Sequence, residues 1–189
     1  MRVFITVLVL IFGFQSWAKA DDISEFEIEG ISLGESLLKY DTKEEIIKYK
    51  KSPYKSKKWS SYANVFKNSN LYDGYLVHFK TNDPKYIIGS IDGVILYEDN
   101  IEDCYKKKKE IVLVLDKMFQ DAKKENFKKS HTGDKSGKSK SDITQYQFQS
   151  GDLVRVNCIN WSKDMKYTDK LKVIISSKEF IDFINNEAY

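Results

Sequence analysis

The spacing of hydrophobic residues changes period three times along this chain. In residues 21–51 they follow helix-start signals. Ser32-x-x-Glu35 precedes Leu37 and Leu38, and Thr42-x-x-Glu45 precedes Ile46, Ile47 and Tyr49. In such a box each side chain satisfies an amide that the first helical turn leaves unpaired. The pattern predicts two short helices broken near Tyr40-Asp41, with Pro53 closing the region. Over residues 59–97 the period shortens to that of strands. Tyr62, Val65 and Phe66 mark one run, Leu76-Val77-His78-Phe79 a second, and the β-branched and aromatic stretch 86–97 a third. Turn-rich residues 68–74 and Thr81-Asn82-Asp83-Pro84 separate them. Asp92-Gly93 interrupts the third run. Its short flanking arms favour a bulge or kink within one strand over a hairpin.

Residues 101–127 return to a helical period. Ile101, Cys104, Ile111, Leu115, Met118 and Ala122 share a stripe that Val112 and Phe119 widen, with Lys108 at the step between Cys104 and Ile111. One long helix with one buried face is expected, packed on a sheet. Asp99 or Asn100 can cap its start, and Glu102 and Asp103 suit the positive end of its dipole. Residues 130–142, SHTGDKSGKSKSD, are polar and glycine-bearing and read as a mobile loop. Residues 143–148 and 153–161 form a hairpin around Ser150-Gly151-Asp152, and 171–175 a further strand. Ser176-x-x-Glu179 then caps a last short helix carrying Phe180, Ile181, Phe183 and Ile184. The expected fold is α+β. A single domain over residues 21–189 holds an antiparallel sheet, the long helix on one face, and short helices at both ends.

The first twenty residues stand apart. Arg2 supplies a positive start, residues 3–14 are apolar apart from Thr6 and Gly13, and Ala18-Lys19-Ala20 is a small-residue cleavage signal ahead of Asp21. These are the three parts of a secretory signal peptide. The apolar run is too short for a membrane anchor, which needs about 20 residues. Cleavage is expected between Ala20 and Asp21, and no cysteine follows the cut to carry a lipid. The expected location is periplasmic, without stable membrane insertion.

Removal of that segment changes the charge. It takes Arg2 and Lys19 and no acid, leaving 29 basic and 28 acidic residues, a net charge of +1. Arg155 is then the one arginine. Nucleic-acid sites lean on arginine forks for bidentate contacts, so a near-neutral, lysine-dominated chain argues against a nucleic-acid partner.

The two cysteines carry the strongest chemical signal. Cys104 lies on the apolar stripe of its helix. In the strand 153–161, Val154, Val156 and Cys158 share one face while Arg155 and Asn157 point the other way. Two inward thiols in an exported chain point to a Cys104–Cys158 disulfide. A nucleophilic Cys104 is the weaker reading, because Glu102 and Asp103 counter the pKa-lowering effect of the helix start. Two unpaired buried thiols are the third.

Other motifs fail on their physics. GDKSGKS at 133–139 resembles a phosphate-binding loop but has three residues between its glycines rather than four, and it leaves a helix to enter a strand. His78, in a strand, and His131, in the loop, are the only histidines, too few for a zinc site. Glu44-Glu45 and Asp21-Asp22 are local charges, since acid–base work needs carboxylates facing each other across a cleft. Lysines 106–109 read as a solvated helical turn. Tyr54, Trp59, Tyr62 and Phe66 could stack a sugar or a peptide, although core packing explains them more simply. No catalytic, cofactor-binding or metal-binding residue is assigned.

Five stretches together resemble small exported proteins of marine alphaproteobacteria, a group without an established activity: FEIEGISLGESLL, NIEDCYKKKKEI, DKSGKS, SGDLVRVNCINWSKDMKYTDKLKV and FINNEAY. The resemblance spans nearly all of the chain beyond the signal peptide and implies a lineage-limited envelope protein. The layout also loosely resembles small periplasmic α+β domains with a helix–strand disulfide. More distantly it is similar to small outer-membrane assembly lipoproteins, whose lipid-bearing cysteine this chain lacks. The expected function is non-enzymatic binding to an envelope protein or a small ligand. The alternative is a periplasmic hydrolase, or other enzyme, whose site forms only in three dimensions.

Overall fold

Among the described residues, seven strands pair edge to edge in one antiparallel sheet, ordered β1-β2-β3-β7-β6-β5-β4. They are β1 (Trp59–Val65), β2 (Gly74–Lys80), β3 (Ile88–Tyr97), β4 (Lys123–Ser130), β5 (Lys140–Gln147), β6 (Leu153–Asn160) and β7 (Asp169–Ser176). Three α-helices accompany them: α1 (Lys43–Tyr49), α2 (Ile101–Met118) and α3 (Lys178–Asn186). This computed structural model describes Ile23 and residues 26–189 apart from 67, 68, 70 and 99. The expected signal peptide, its expected cut between Ala20 and Asp21, and the Asp99 cap therefore lie outside the described residues. No helix among the described residues is long and apolar enough to cross a membrane.

The topology follows from two meanders. β1, β2 and β3 zigzag to the middle of the sheet. α2 then carries the chain across one face to the far edge, and β4 to β7 zigzag back until β7 pairs with β3. The α+β fold expected from the sequence is the one observed.

Strand alternation gives the sheet two faces. The core face carries Val77, Phe79, Ile91, Val154, Val156, Cys158, Leu171, Val173 and Ile175, all buried. Each such side chain contributes roughly 1.5–3 kcal/mol by leaving water. α2 covers β3, β7 and β6 with Cys104, Lys108, Ile111 and Leu115, spaced by fours and threes. The chain from Ile23 to α1 adds Ile28, Ile31, Leu37 and Ile46 to the same core. Phe119, just past α2, meets Phe26, Tyr146 and Phe148 edge-on at 5.4, 5.6 and 5.0 Å. The disulfide Cys104–Cys158 joins the first turn of α2 to β6, with Cα atoms 6.0 Å apart and a sequence separation of 54. Both cysteines are fully buried.

Several expectations are corrected. Residues 26–36 are not helical. Ile28 and Ile31 exchange both backbone hydrogen bonds at 3.0 Å around Glu29 (φ 51°) and Gly30 (φ 77°), a turn with both central residues left-handed. The Ser32 hydroxyl donates to Glu27, so of the expected box only the Glu35 carboxylate's bond to the Ser32 backbone remains, and no helix starts there. The first helical piece is a single 3₁₀ turn, Leu37–Lys39, capped by Ser36. Thr42 does cap α1, accepting from the Glu45 amide. The cap of α3 is Ser177, one residue later than expected. Asp92-Gly93 is neither a hairpin nor a bulge, because β3 passes through both in register. Glycine is needed at 93 because a Cβ there would meet Tyr72 at 2.7 Å and Ile28 at 2.9 Å. The irregularity lies earlier, where the register steps from His78↔Ser90 to Phe79↔Ile88 and leaves Gly89 under the Trp59 ring.

The helix expected to reach residue 127 ends at Met118, and residues 123–130 form edge strand β4. Residues 130–142 shrink to a turn between β4 and β5, since residues 140–142 belong to β5. Asp134 ties that turn. Its carboxylate accepts from the amides and hydroxyls of Ser136 and Ser139 and from the Ser162 hydroxyl. These donors hold it well below the usual carboxylate range. Lysines 106–109 are not uniformly solvated. Lys108 is buried in the core stripe and paired with Asp142 on β5, whose other oxygen meets Lys128 at 3.0 Å.

Candidate anion-binding face

The second face of the sheet is covered differently. At the β1–β3 end, α3 lays Phe180 and Phe183 against Tyr54 and Trp59, with ring centroids 5.0 Å apart for Tyr54–Phe183 and Trp59–Phe180. His78 on β2 stacks on Phe180 at 4.6 Å, and the Tyr54 hydroxyl lies 2.7 Å from its Nδ1. No other helix among the described residues crosses this face.

The strand register places the remaining side chains in cross-strand rows. One row runs Glu125, Gln145, Arg155, Ile174, Asp92 and Leu76. The next runs Phe127, Ile143, Asn157, Lys172 and Val94. A third runs Lys129, Ser141, Ile159, Lys170 and Leu96. Trp161, two residues past Ile159, continues the same side of β6. Its ring lies 4.3 Å from His131 and 4.9 Å from Tyr167, with the Lys170 ammonium 6.0 Å from its centroid.

The charges here do not cancel. Asp92, 5 % exposed, accepts from Lys172 at 2.8 Å. Glu125 is taken up by Lys123 at 2.9 Å and by the Gln145 amide. Among the described residues, Arg155 reaches only the Gln145 carbonyl oxygen, at 2.9 Å. Among the described residues, Arg155, Lys129 and Lys170 have no carboxylate partner. Burial lowers the pKa of each, and neighbouring cations add to the effect: Arg155 on Lys129, and Lys172 on Lys170. His131 is lowered in the same way, by burial first and then by Lys172, Lys129 and Lys170.

Three buried side-chain atoms find no hydrogen-bond partner among the described residues, and all belong to this face: Arg155 Nε, Asn157 Oδ1 and Trp161 Nε1. Buried polar atoms are satisfied in the great majority of cases, so three on one surface mark it out. Two are donors and one is an acceptor. By contrast, the buried polar group on the core face is closed on itself. Asp41 accepts from Tyr75 and from Asn64 at 3.0 Å, and Asn64 also donates to Tyr62. Two clefts of about 410 and 450 Å³ flank Trp59 beside the Lys80–Glu179 ion pair, away from the charged rows.

The structure brings together one sequence-level site, Cys104 with Cys158. His78 and His131 have separate settings, against Phe180 and Trp161. The aromatic group splits, with Tyr54 and Trp59 under α3 while Tyr62 and Phe66 pack with Tyr75 on the core face. Sequence reading pointed Arg155 and Asn157 away from the core, and they do face away. It had no means of finding what surrounds them, because Asp92, Lys129, Lys170 and Lys172 come from three other strands. Comparison with protein-family models, with curated proteins and with solved structures finds no match to this chain.

His78 supplies a pH test of this end of the face. Burial pushes its pKa down to about 4 from 6.5; Asp92 opposes the shift and Lys172 reinforces it. Between those values the unfolded chain binds a proton that the folded chain does not. The stability of the neutral form is complete above pH 6.5 and is lost as pH falls toward 4, by about 3 kcal/mol in all. Urea midpoints at pH 7 and pH 4.5 should separate in the wild type and converge in His78→Gln. A wild-type midpoint unchanged over that interval contradicts a buried neutral histidine.

Proposed function

We propose that the protein is exported and acts as a non-enzymatic binding domain, with its helix-covered face for stability and its second face for an anionic component of the envelope. One observation carries this reading: three cations without carboxylate partners stand beside buried, unpartnered atoms of Arg155, Asn157 and Trp161. The signal-peptide pattern at residues 1–20 supports export, and a disulfide suits an oxidising compartment. Binding is favoured over catalysis because the natural reactive groups are engaged. Both cysteines are bridged, His78 is neutral and bonded to Tyr54, and Asp92 is held by Lys172.

A photo-crosslinking residue placed at Leu96, exposed on the open face, or at Leu113, exposed on α2, tests the assignment in the native envelope. Adducts are expected at position 96, weakened by salt, on a chain whose N-terminus is Asp21. Equal adducts at both positions, or an uncut chain retained in the cytosol, would contradict it.

A further inference from the structure

From the arrangement of donors, acceptor and rings we infer that the second face of the sheet takes an extended acidic oligosaccharide, lying along β6 and β7 from Trp161 toward Arg155. This rests on the anionic-ligand reading above and narrows it to one ligand class.

Length and chemistry select that class. Trp161 and Arg155 are six residues apart on one strand, roughly 20 Å at 3.3 Å per residue. A single small anion cannot reach both. Along the way the ligand meets Lys170, then Asn157 beside Lys172, which Asp92 already neutralises, then Arg155, so a cation without a carboxylate partner stands toward each end of the path. An extended chain that carries carboxylates along its length can meet both.

The unpartnered atoms add a second requirement. Arg155 Nε and Trp161 Nε1 need acceptors, which carboxylates and ring oxygens supply. Asn157 Oδ1 needs a donor, and it is buried between cations and Ile143. A bare phosphate or sulfate polymer has no donor to give, whereas a sugar hydroxyl does. The third requirement is the shelf at the end of the path. The half-buried Trp161 ring with the exposed Tyr167 presents an apolar surface on which the C–H face of a pyranose can lie, and Lys170 stands at its rim. A nucleic acid would also bring charge and stacking. However, the face offers one arginine fork and one ring shelf, where successive bases need several rings.

The test is calorimetric titration of the full exported chain with galacturonate hexamer. Neutral maltohexaose, inorganic polyphosphate and a single-stranded oligodeoxynucleotide serve as comparisons. The hexamer is expected to bind and the other three to bind far more weakly. Lys170→Glu, a partly exposed change, should weaken hexamer binding by about tenfold or more. Trp161→Phe, which keeps a ring and deletes the N–H, should weaken it severalfold. Lys106→Glu, exposed on α2 over the opposite face, should leave it unchanged, and all three variants should retain the wild-type urea midpoint. Failure of the hexamer to bind, or equal binding by Lys170→Glu and wild type, overturns the inference. Polyphosphate or oligonucleotide binding as tight as the hexamer also overturns it, while leaving the broader anionic reading in place.

Discussion

Replacing Cys104 and Cys158 together with alanine is expected to lower the unfolding free energy by about 4 kcal/mol, the chain-entropy value for a loop of this length. The bridge closes a loop of sequence separation 54 that takes in most of α2, all of β4 and β5 and most of β6, so its loss enlarges the unfolded ensemble. In the folded state it fixes the first turn of α2, where Asn100 makes no side-chain cap to the helix and donates instead to Asp103. For a chain of this size the change corresponds to a fall in Tm of roughly 8–16 °C. Urea unfolding of the wild type with and without reductant should show the same loss. Amide exchange should accelerate first in the early turns of α2, while α3, anchored by its own aromatic cluster, stays protected. An unchanged midpoint after reduction would mean that the helix is held by packing alone.

Lys172→Met is expected to cost about 3–5 kcal/mol, because it leaves the Asp92 carboxylate buried without its cation. The loss should largely disappear in Asp92→Leu/Lys172→Met, where both charges are gone and apolar volume replaces them. Ile174 and Leu76 flank Asp92 across its row and can accept a leucine between them. A double-mutant cycle in urea measures the coupling directly. Losses that simply add would show that the two side chains do not act as a pair. The cycle also bears on the charged face: if the pair were there for stability alone, an apolar substitute would serve as well. Its retention beside three unneutralised cations fits a surface whose charge pattern is set for something outside the fold.

Much of this architecture was written in the residue order. Val154, Val156 and Cys158 alternate with Arg155 and Asn157, so one strand declared both faces. Cys104 on a stripe with Ile111 and Leu115 declared where α2 would sit. β4 was hidden because KKENFKKS carries lysines suited to blunting a sheet edge, and such a strand reads as the polar tail of the preceding helix. Lys108 was misjudged because a lysine on an apolar stripe looks solvated until its partner Asp142, 34 residues away, is known. Residues 26–36 carried a genuine helix-start motif, and the turn at Glu29-Gly30 overrode it. The charged face lay furthest from view. Asp92 and Lys172 are 80 residues apart, and antiparallel register alone makes them neighbours.

The most direct measurement is the nuclear magnetic resonance spectrum of residues 21–189 during titration with galacturonate hexamer, followed at the Trp161 indole N–H and the Arg155 Nε–H. Both resonances should move together with the backbone amides of Asn157, Lys170 and Lys172, while the Trp59 indole and the exposed side of α2 stay fixed. Saturable shifts that leave the Trp161 and Arg155 resonances in place would contradict a binding role for this face.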